Sequence, residues 1–325
     1  MPTELTAYQF ASRFDFESVV VVSSALTILS ADSVNTSMAR LELRHPANAH
    51  GDWYVDTRCI DCGTCRELAP EIFGQDRSQS VVHWQPPQSD ELGAWLAAQA
   101  CPTQSIGTTE HRPRPGRLFP REIERASGVF DLGYCSPDSF GATSWLVARA
   151  SGNVMIDSPR FTAALIAPLR AHGGIDHIAL THRDDVADAE RWAHEFGARV
   201  WIATADRSAA PFATDLLGTD DTPITRDLLS ISVPGHTRGS VTFLLEGRYL
   251  FTGDSLAWSR QRHDLTAFRD ACWFSWSEQT ASLSRLAEQH RFEWVLPGHG
   301  DRAHVPPDEM RTRLLSLVGR MRQPR

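Results

Sequence analysis

The sequence predicts an α+β protein of two units, a small cysteine-bearing unit followed by a larger domain of strands alternating with helices. Two observations carry this reading. Four of the six cysteines fall between Cys59 and Cys101, in a stretch with acidic residues in excess. From residue 121 onward, short apolar runs each end in a loop that holds His or Asp, the pattern of an α/β domain with a site built on its loops. The length agrees, since 325 residues is about twice the usual single domain.

The elements follow in order. Residues 1–46 carry no motif and read as an N-terminal extension, strand-like or disordered, with Met1 and Met38 both candidate starts. Residues 47–110 form the small unit, and 111–120 (HRPRPGRLFP) have the composition of a linker. Residues 121–325 form the larger domain. There, 144–148 and 153–156 read as a hairpin with Gly152-Asn153 at its turn and Asp157 at its exit, and 177–181 leads into HRDDVAD. A helix over 188–196 has an acidic start and Gly197 as its stop, and a strand over 199–203 follows. Residues 228–233 run into PGHTRGS, 248–252 into GDS and 294–296 into PGHG, with a helix at 277–290 between the last two.

Composition narrows the chemistry. The chain is 42% hydrophobic and 22% charged, which suits a packed core. All 32 basic residues are Arg, so a Schiff-base lysine, a phosphate-loop lysine and a lysine general base are excluded. The net charge of −8, with basic residues concentrated only near 112–125, argues against nucleic acid as a partner. The longest apolar run, 19–29, is broken by serines and too short to span a bilayer, and the acidic residues around it do not suit a signal peptide. The expectation is a cytoplasmic protein with no membrane partner, in which six cysteines point to metal or redox chemistry.

Cys59, Cys62 and Cys65 form C-x2-C-x2-C, followed by Ala69-Pro70, and Cys101 precedes Pro102. In two-cluster bacterial ferredoxins the fourth cysteine of such a run serves the second cluster. Here Ala69 takes that place, and Cys101 is available to complete the first. CIDCGTCRELAP and ACPTQSI thus resemble a single-cluster ferredoxin, which implies one 4Fe–4S cluster on Cys59, Cys62, Cys65 and Cys101. Ile60, Ile72, Phe73 and Ile106 are candidates to line a dry pocket around it. The competing reading is structural zinc, but zinc sites favour two C-x2–4-C pairs over a triplet and a remote Cys-Pro. Cys135 and Cys272 read as inert thiols.

The second constellation is His182, Asp184, Asp185 and Asp188, then His236, Asp254 and His299, each just past an apolar run. PGHTRGS, FTGDS and PGHG resemble the later motifs of the metallo-β-lactamase fold, in its glyoxalase-II-like branch, over roughly residues 121–310. The resemblance implies an αββα sandwich and one or two metals activating a water. Carried over, His182 matches the first histidine of the family's H-x-H-x-D-H, His236 the third-motif histidine, Asp254 the bridging aspartate and His299 the last histidine. Asp184 stands where the second histidine belongs, and the final pair is absent or displaced to Asp188-Ala189, where Asp188 reads equally as a helix N-cap. The expected metal set is His182, Asp184, Asp188, His236, Asp254 and His299, holding one divalent Zn, Fe or Mn or decayed to none. Its mixed His and carboxylate donors suit all three metals. Asp157 reads as a loop-tying residue. The aromatic and arginine-rich segment 258–276 either shapes an anion-tolerant pocket or packs on the ferredoxin unit.

Three functions follow. The first is a metal-dependent hydrolase of an ester- or thioester-like small molecule, in which Asp254 or a neighbouring carboxylate, Asp184 or Asp185, orients the attacking water. The second is a redox enzyme in which the cluster, served by a redox partner protein, feeds a non-haem iron site acting on oxygen, sulfur or nitrogen species; flavodiiron proteins, of the same fold, have a carboxylate at the place of Asp184 and reduce dioxygen or nitric oxide, with a flavodoxin domain that this sequence lacks. The third is an electron-transfer or redox-sensing protein with a decayed metal site.

Overall fold

The computed structural model describes residues 39–110, 112 and 115–324. The extension expected over 1–46 lies outside the described residues up to 38, as do both candidate start methionines. Residues 39–46 continue the small unit. Leu41–Leu43 form a 3-10 turn, Tyr54 Oη donates to the Ala39 carbonyl at 2.8 Å, and the Asp56 carboxylate accepts from the Arg40 amide at 2.8 Å.

In the small unit, strands Trp53–Val55 and Ile106–Thr108 pair antiparallel, and Phe73–Asp76 with Gln79–Val82 forms a hairpin. Helices α1 (Thr64–Leu68) and α2 (Leu92–Ala100) complete it. Trp53, Ile72, Phe73, Val82, Ala94 and Ala97 pack with Cys65 and Cys101 in one core. The sequence of α2, LGAWLAAQA, is apolar almost all round, whereas a surface helix carries a single apolar stripe. The packing explains it: Ala94 and Ala97 enter the small core, while Leu96 and Ala100 enter the core of the larger domain. The two units therefore share a helix, which buries Ala94, Leu96, Ala97 and Ala100 between them.

The larger domain is two packed sheets. The first contains seven strands, ordered in space Asp215–Leu217, Arg199–Ala203, His177–Ala179, Val154–Ile156, Trp145–Val147, Val129–Asp131 and Arg121–Glu122. The second contains six, ordered Thr222–Pro223, Leu228–Ser232, Val241–Leu245, Tyr249–Gly253, Trp294–Pro297 and Ala303–His304. Val147, Ile156 and Ala179 from the first sheet meet Val241, Phe243, Phe251 and Leu296 from the second in a dry layer. A fully buried Val, Ile or Phe stabilises by about 1.5–3 kcal/mol, so this layer holds the two sheets in a set relation. Helix α3 (Ala163–Ala171) and α4 (Ala189–Phe196) cover the outer face of the first sheet; α5 (Trp276–Gln289) and α6 (Pro307–Met321) cover the second. The result is the expected αββα sandwich.

Helix α4 ends where expected, on Gly197 in the left-handed region at φ +68°. Helix α5 opens on Ser275, whose side chain accepts from the Glu278 amide. Helix α6 has a readable signal that the motif-centred reading passed over: Pro307 at its first turn, and Met310, Leu314, Leu317, Val318 and Met321 on one buried stripe. No helix among the described residues is long and apolar enough to cross a membrane.

Candidate functional site

Cys59, Cys62, Cys65 and Cys101 line one small pocket together with Ile60, Ile106 and Val55. Ile72 and Phe73, expected in that lining, instead pack one layer behind, in the core. Asp61 (φ +61°) and Gly63 (φ +91°) put two left-handed residues between the first three cysteines, turning the chain back on itself. Backbone N–H groups point at the sulfurs, from Asp61 and Ser80 to Cys59 Sγ at 3.4 Å and from Ser105 to Cys101 Sγ at 3.3 Å. Burial pushes the Cys62 thiol up to about 11, and the Cys65 and Cys101 thiols upward as well. Buried thiols crowded together ionise only beside compensating positive charge, so this donor set fits an iron–sulfur cluster.

The second constellation gathers at the ends of the strands that precede it. His182, His236 and Asp254 each offer a donor atom, all within 4.8 Å of one another. Asp254 Oδ2 stands 3.7 Å from the Nε2 of both His182 and His236, and Asp184 Oδ2 is 3.3 Å from His236 Nε2 and 3.8 Å from His182 Nε2. Ligands at about 2.1 Å around a tetrahedral ion stand about 3.4 Å apart, so these separations match a single ion. His182 Nε2, His236 Nε2 and Asp254 Oδ1 are buried with no hydrogen-bond partner. Such atoms are costly to desolvate unless something binds them, and the donor set fits a divalent cation.

Neighbouring groups tune these donors. Burial lowers His182 to about 4, so its imidazole is neutral and its lone pair free at neutral pH. Thr181 Oγ1 lies 3.0 Å from His182 Nδ1 and 2.9 Å from Asp157 Oδ2, and Asp157 also accepts from the Thr181 amide at 2.8 Å. That chain holds the ring with Nε2 toward the cluster of donors, and it gives Asp157 the loop-tying place expected for it. Burial lifts Asp157 to about 7 and Asp185 well above the usual carboxylate range, the nearby Asp254 adding to both. His236 beside Asp184 holds that carboxyl below its ordinary value. Close approach of the two sheets depends on Gly253, at φ +47°, where a β-carbon would stand 2.4 Å from Thr181 Oγ1.

Two sequence expectations are corrected. Asp188 does not join the donors: its Oδ2 accepts from the Phe161 amide at 2.7 Å and its Oδ1 pairs with Arg191, at the N-cap of α4. Ala189 is wholly buried in the core against the first sheet, so the displaced Asp-His pairing has no counterpart in space. His299 is half-buried and lies outside the tight donor group, its ring 6.1 Å from that of Phe140.

A cavity of about 1100 Å³ opens over the donors. Asp184, Asp185, His236, Asp254 and His299 line it, together with Phe268, Arg269 and Trp273 of the aromatic segment. Cys62, Gly63, Arg66 and Glu67 of the cysteine-bearing unit form another part of its wall. Segment 258–276 thus lines the cavity and also packs on the cysteine-bearing unit, since Arg260 donates to the Arg66 and Glu67 carbonyls at 3.0 and 3.2 Å. Trp273 and Phe274 donate their amides to the His236 carbonyl, which pins this segment to the donor loop. Sequence reasoning missed Glu67, Phe140 and Gly141, and also Asp206, which accepts from the Thr237 hydroxyl at 2.6 Å and the Arg183 amide at 3.0 Å. Glu67 lies within CIDCGTCRELAP but at none of its cysteine positions, and Phe140, Gly141 and Asp206 belong to no motif.

Fold and site together define an αββα protein with a His and carboxylate metal-type centre and a fused iron–sulfur unit. Residues 136–315 match the profile of the metallo-β-lactamase superfamily, more than half of the chain, and the protein belongs to that superfamily. Residues 55–108 match the 4Fe–4S single cluster domain of ferredoxin I, and the small unit is such a domain. The chain is 33% identical over 117 residues to a hydroxyacylglutathione hydrolase of Acidiphilium cryptum (strain JF-5), covering 35% of this chain and 48% of that protein. It is 37% identical over 129 residues to a hydroxyacylglutathione hydrolase of Fuscovulum blasticum, covering 38% and 49%. The chain thus spans about half the length of these curated relatives. Among solved structures, the mono-zinc form of the metallo-β-lactamase FIM-1 from Pseudomonas aeruginosa aligns with a TM-score of 0.46 and 17% identity, over 56% of this chain and 85% of that one.

Proposed function

We propose that the protein is a metal-dependent hydrolase of a small ester- or thioester-like molecule, with one divalent Zn, Fe or Mn held by His182, Asp184, His236 and Asp254. The observation that carries this is the convergence of His182, His236 and Asp254, with buried, unpartnered polar atoms on all three, where His236 and Asp254 open onto a large cavity. The hydroxyacylglutathione hydrolase relatives support the reaction class. A divalent cation here would supply Lewis acidity and lower the pKa of a bound water. The chain's own residues do the rest. His182 and His236 offer neutral nitrogens, Thr181 and Asp157 hold the His182 ring, and Asp254 orients the attacking water. His299, on the cavity wall, is placed to hand a proton to the leaving group.

Anaerobically purified protein, assayed on a generic thioester with and without reductant, tests the reading. The expected result is reductant-independent hydrolysis and one metal beyond the cluster iron. His236→Ala should remove that metal and the activity while leaving labile sulfide unchanged, because the two donor sets share no residue. Hydrolysis that survives His236→Ala would sink the proposal, and two metals retained after dialysis against a mild chelator would overturn the count.

One observation favours the redox reading as the alternative: Cys62 and Gly63 line the same cavity as His236 and Asp254. Turnover that appears only with an electron donor would select it.

A further inference from the structure

We propose that Glu67, carried on the cluster helix of the ferredoxin domain, is a positioning residue for the His299 loop, so that occupancy of the cluster site sets the geometry of the hydrolase cavity.

Helix α1 is five residues long, too short to be stable alone. It holds Cys65 in its second position; Arg66 pairs with Asp61 and Ser80 inside the small unit, while Thr64, Glu67 and the last carbonyls are tied to the lactamase-fold domain. Thr64 Oγ1 donates to the Gly141 carbonyl at 2.9 Å. Glu67 Oε1 accepts from the Gly300 amide at 2.9 Å. The Arg260 guanidinium reaches the Arg66 and Glu67 carbonyls at the C-terminal end of α1, and its other contact is Asp301 at 2.6 Å. A guanidinium at the open carbonyls of a helix end is favourable both as a cap and toward the helix dipole.

The partner of these ties is the segment PGHGD, in which His299 sits between two glycines and has little stiffness of its own. On the side entering His299 it is held by two backbone hydrogen bonds, Gly298 N–H to the Gly253 carbonyl at 2.9 Å and Thr143 N–H to the Gly298 carbonyl at 2.8 Å. On the side leaving it, Glu67 holds the Gly300 amide, and Asp301 exchanges backbone hydrogen bonds with Trp258 at 2.9 and 3.2 Å, so Glu67 is the tie next to His299. On the opposite flank, Phe140 faces the His299 ring from a loop whose next residue, Gly141, touches Cys62. Both flanks of His299 are thus set by segments that carry or contact cluster ligands. Cluster ligation fixes Cys65 and so fixes α1; with it lost, Glu67 and the Arg260 clip lose their foundation, and Gly300, next to His299, loses the partner of its amide while Asp301 keeps its pairing with Trp258.

The test is hydrogen–deuterium exchange of segment 298–303 in full-length protein, read by mass spectrometry, with labile sulfide measured in the same samples. The expected result in Glu67→Ala with intact cluster is exchange about tenfold faster, the scale of one lost hydrogen bond. Glu67→Gln should stay at the wild-type rate, because its amide oxygen still accepts from Gly300. Removing the cluster from wild-type protein with ferricyanide and chelator should reproduce the Glu67→Ala rate, and doing so in Glu67→Ala should add little. Should Glu67→Ala fail to hold its cluster, Arg260→Ala cuts the neighbouring tie, which joins the end of α1 to Asp301, and should accelerate exchange in the same direction. Unchanged exchange in a cluster-bearing Glu67→Ala or Arg260→Ala protein, or full protection after cluster removal, would overturn the inference. A kinetic arm rests on the hydrolase reading: kcat falls and KM holds in Glu67→Ala, with recovery in Glu67→Gln. Absence of hydrolysis in every form would overturn that reading while the exchange result stands by itself.

Discussion

Cys62 lies against Gly141 so closely that a β-carbon on Gly141 would stand 2.7 Å from Cys62 Cβ and 2.8 Å from its Sγ. Gly141 is also at φ +87°, a conformation that side-chain-bearing residues rarely adopt. A cysteine of the ferredoxin domain thus touches the backbone of the lactamase-fold domain beside the cavity wall, through a contact that only glycine permits.

Gly141→Ala should therefore be among the most damaging small substitutions in the protein. The left-handed backbone costs roughly 1–2 kcal/mol with a β-carbon present, and the overlap with Cys62 adds about 1–3 kcal/mol. The expected outcome is a lower Tm together with a reduced 4Fe–4S absorbance. Gly116→Ala is the control, since a β-carbon there meets nothing within 4 Å. Equal Tm values for the two variants would show that the Cys62 loop yields freely.

The ferredoxin domain should hold about four labile sulfides per chain, and Cys101→Ala should lose most of them. Cys101 also lies where the two domains are clamped: half-buried Arg160 donates to the Cys101 and Pro102 carbonyls at 3.2 and 3.3 Å. Zinc with no labile sulfide in anaerobic protein would reject the iron–sulfur assignment of these cysteines.

Ala189→His would restore a family-like Asp-His pair in sequence, yet it should add no metal. Ala189 is wholly buried beside Trp192 in the core, and Asp188 is turned toward Phe161 and Arg191. Forcing an imidazole into that place should cost about 1–3 kcal/mol of stability by overpacking. Elemental analysis and denaturant unfolding read both outcomes, and a gain of one metal per chain would contradict the observed path of the loop.

Glu67 offers a pH test. Burial raises its carboxyl to about 7 from an ordinary 4.5, so the folded protein holds a proton that the unfolded chain releases. The associated stability is present in full below about pH 4.5 and is lost as pH rises through about 7. Glu67→Gln removes that dependence while keeping an acceptor for Gly300. Relative to wild type, the variant should be about equal at pH 4.5 and more stable by about 2 kcal/mol at pH 8, part of the shift being discounted because the residue borders the open cavity. A stability difference that does not grow between pH 4.5 and 8 would show that Glu67 ionises without penalty.

Much of the architecture was legible in the sequence for physical reasons. The thiolate triplet with a remote Cys-Pro, and Ala69 in place of a fourth cysteine, are local patterns, and they marked out the ferredoxin domain before any coordinates. Apolar runs closing in PGHTRGS, GDS and PGHG identified strands and the loops that follow them, because side-chain periodicity and turn residues act over a few positions. Gly197 stopped α4 for the same reason. The apolar stripe of α6 was equally legible and was overlooked because it carries no chemistry.

Tertiary structure alone decided which acids of HRDDVAD face the donors. The 3-10 turn Arg183–Asp185 aims Asp184 at His236 and buries Asp185 behind His182, after which the chain rotates Asp188 away to the Phe161 amide. Adjacent carboxylates are chemically alike, and only the path of the backbone tells them apart. The same holds for Glu67 and Gly141, which look like ordinary residues in sequence. Their roles arise because α2 sends Ala94 and Ala97 into one core and Leu96 and Ala100 into the other, and so brings the two domains into contact. Sequence determined the cysteine pattern, the candidate donors and the elements that carry them; the packing of one domain on the other determined that Cys62 borders the same cavity as His236 and Asp254, since contacts between residues more than two hundred positions apart leave no local pattern to read.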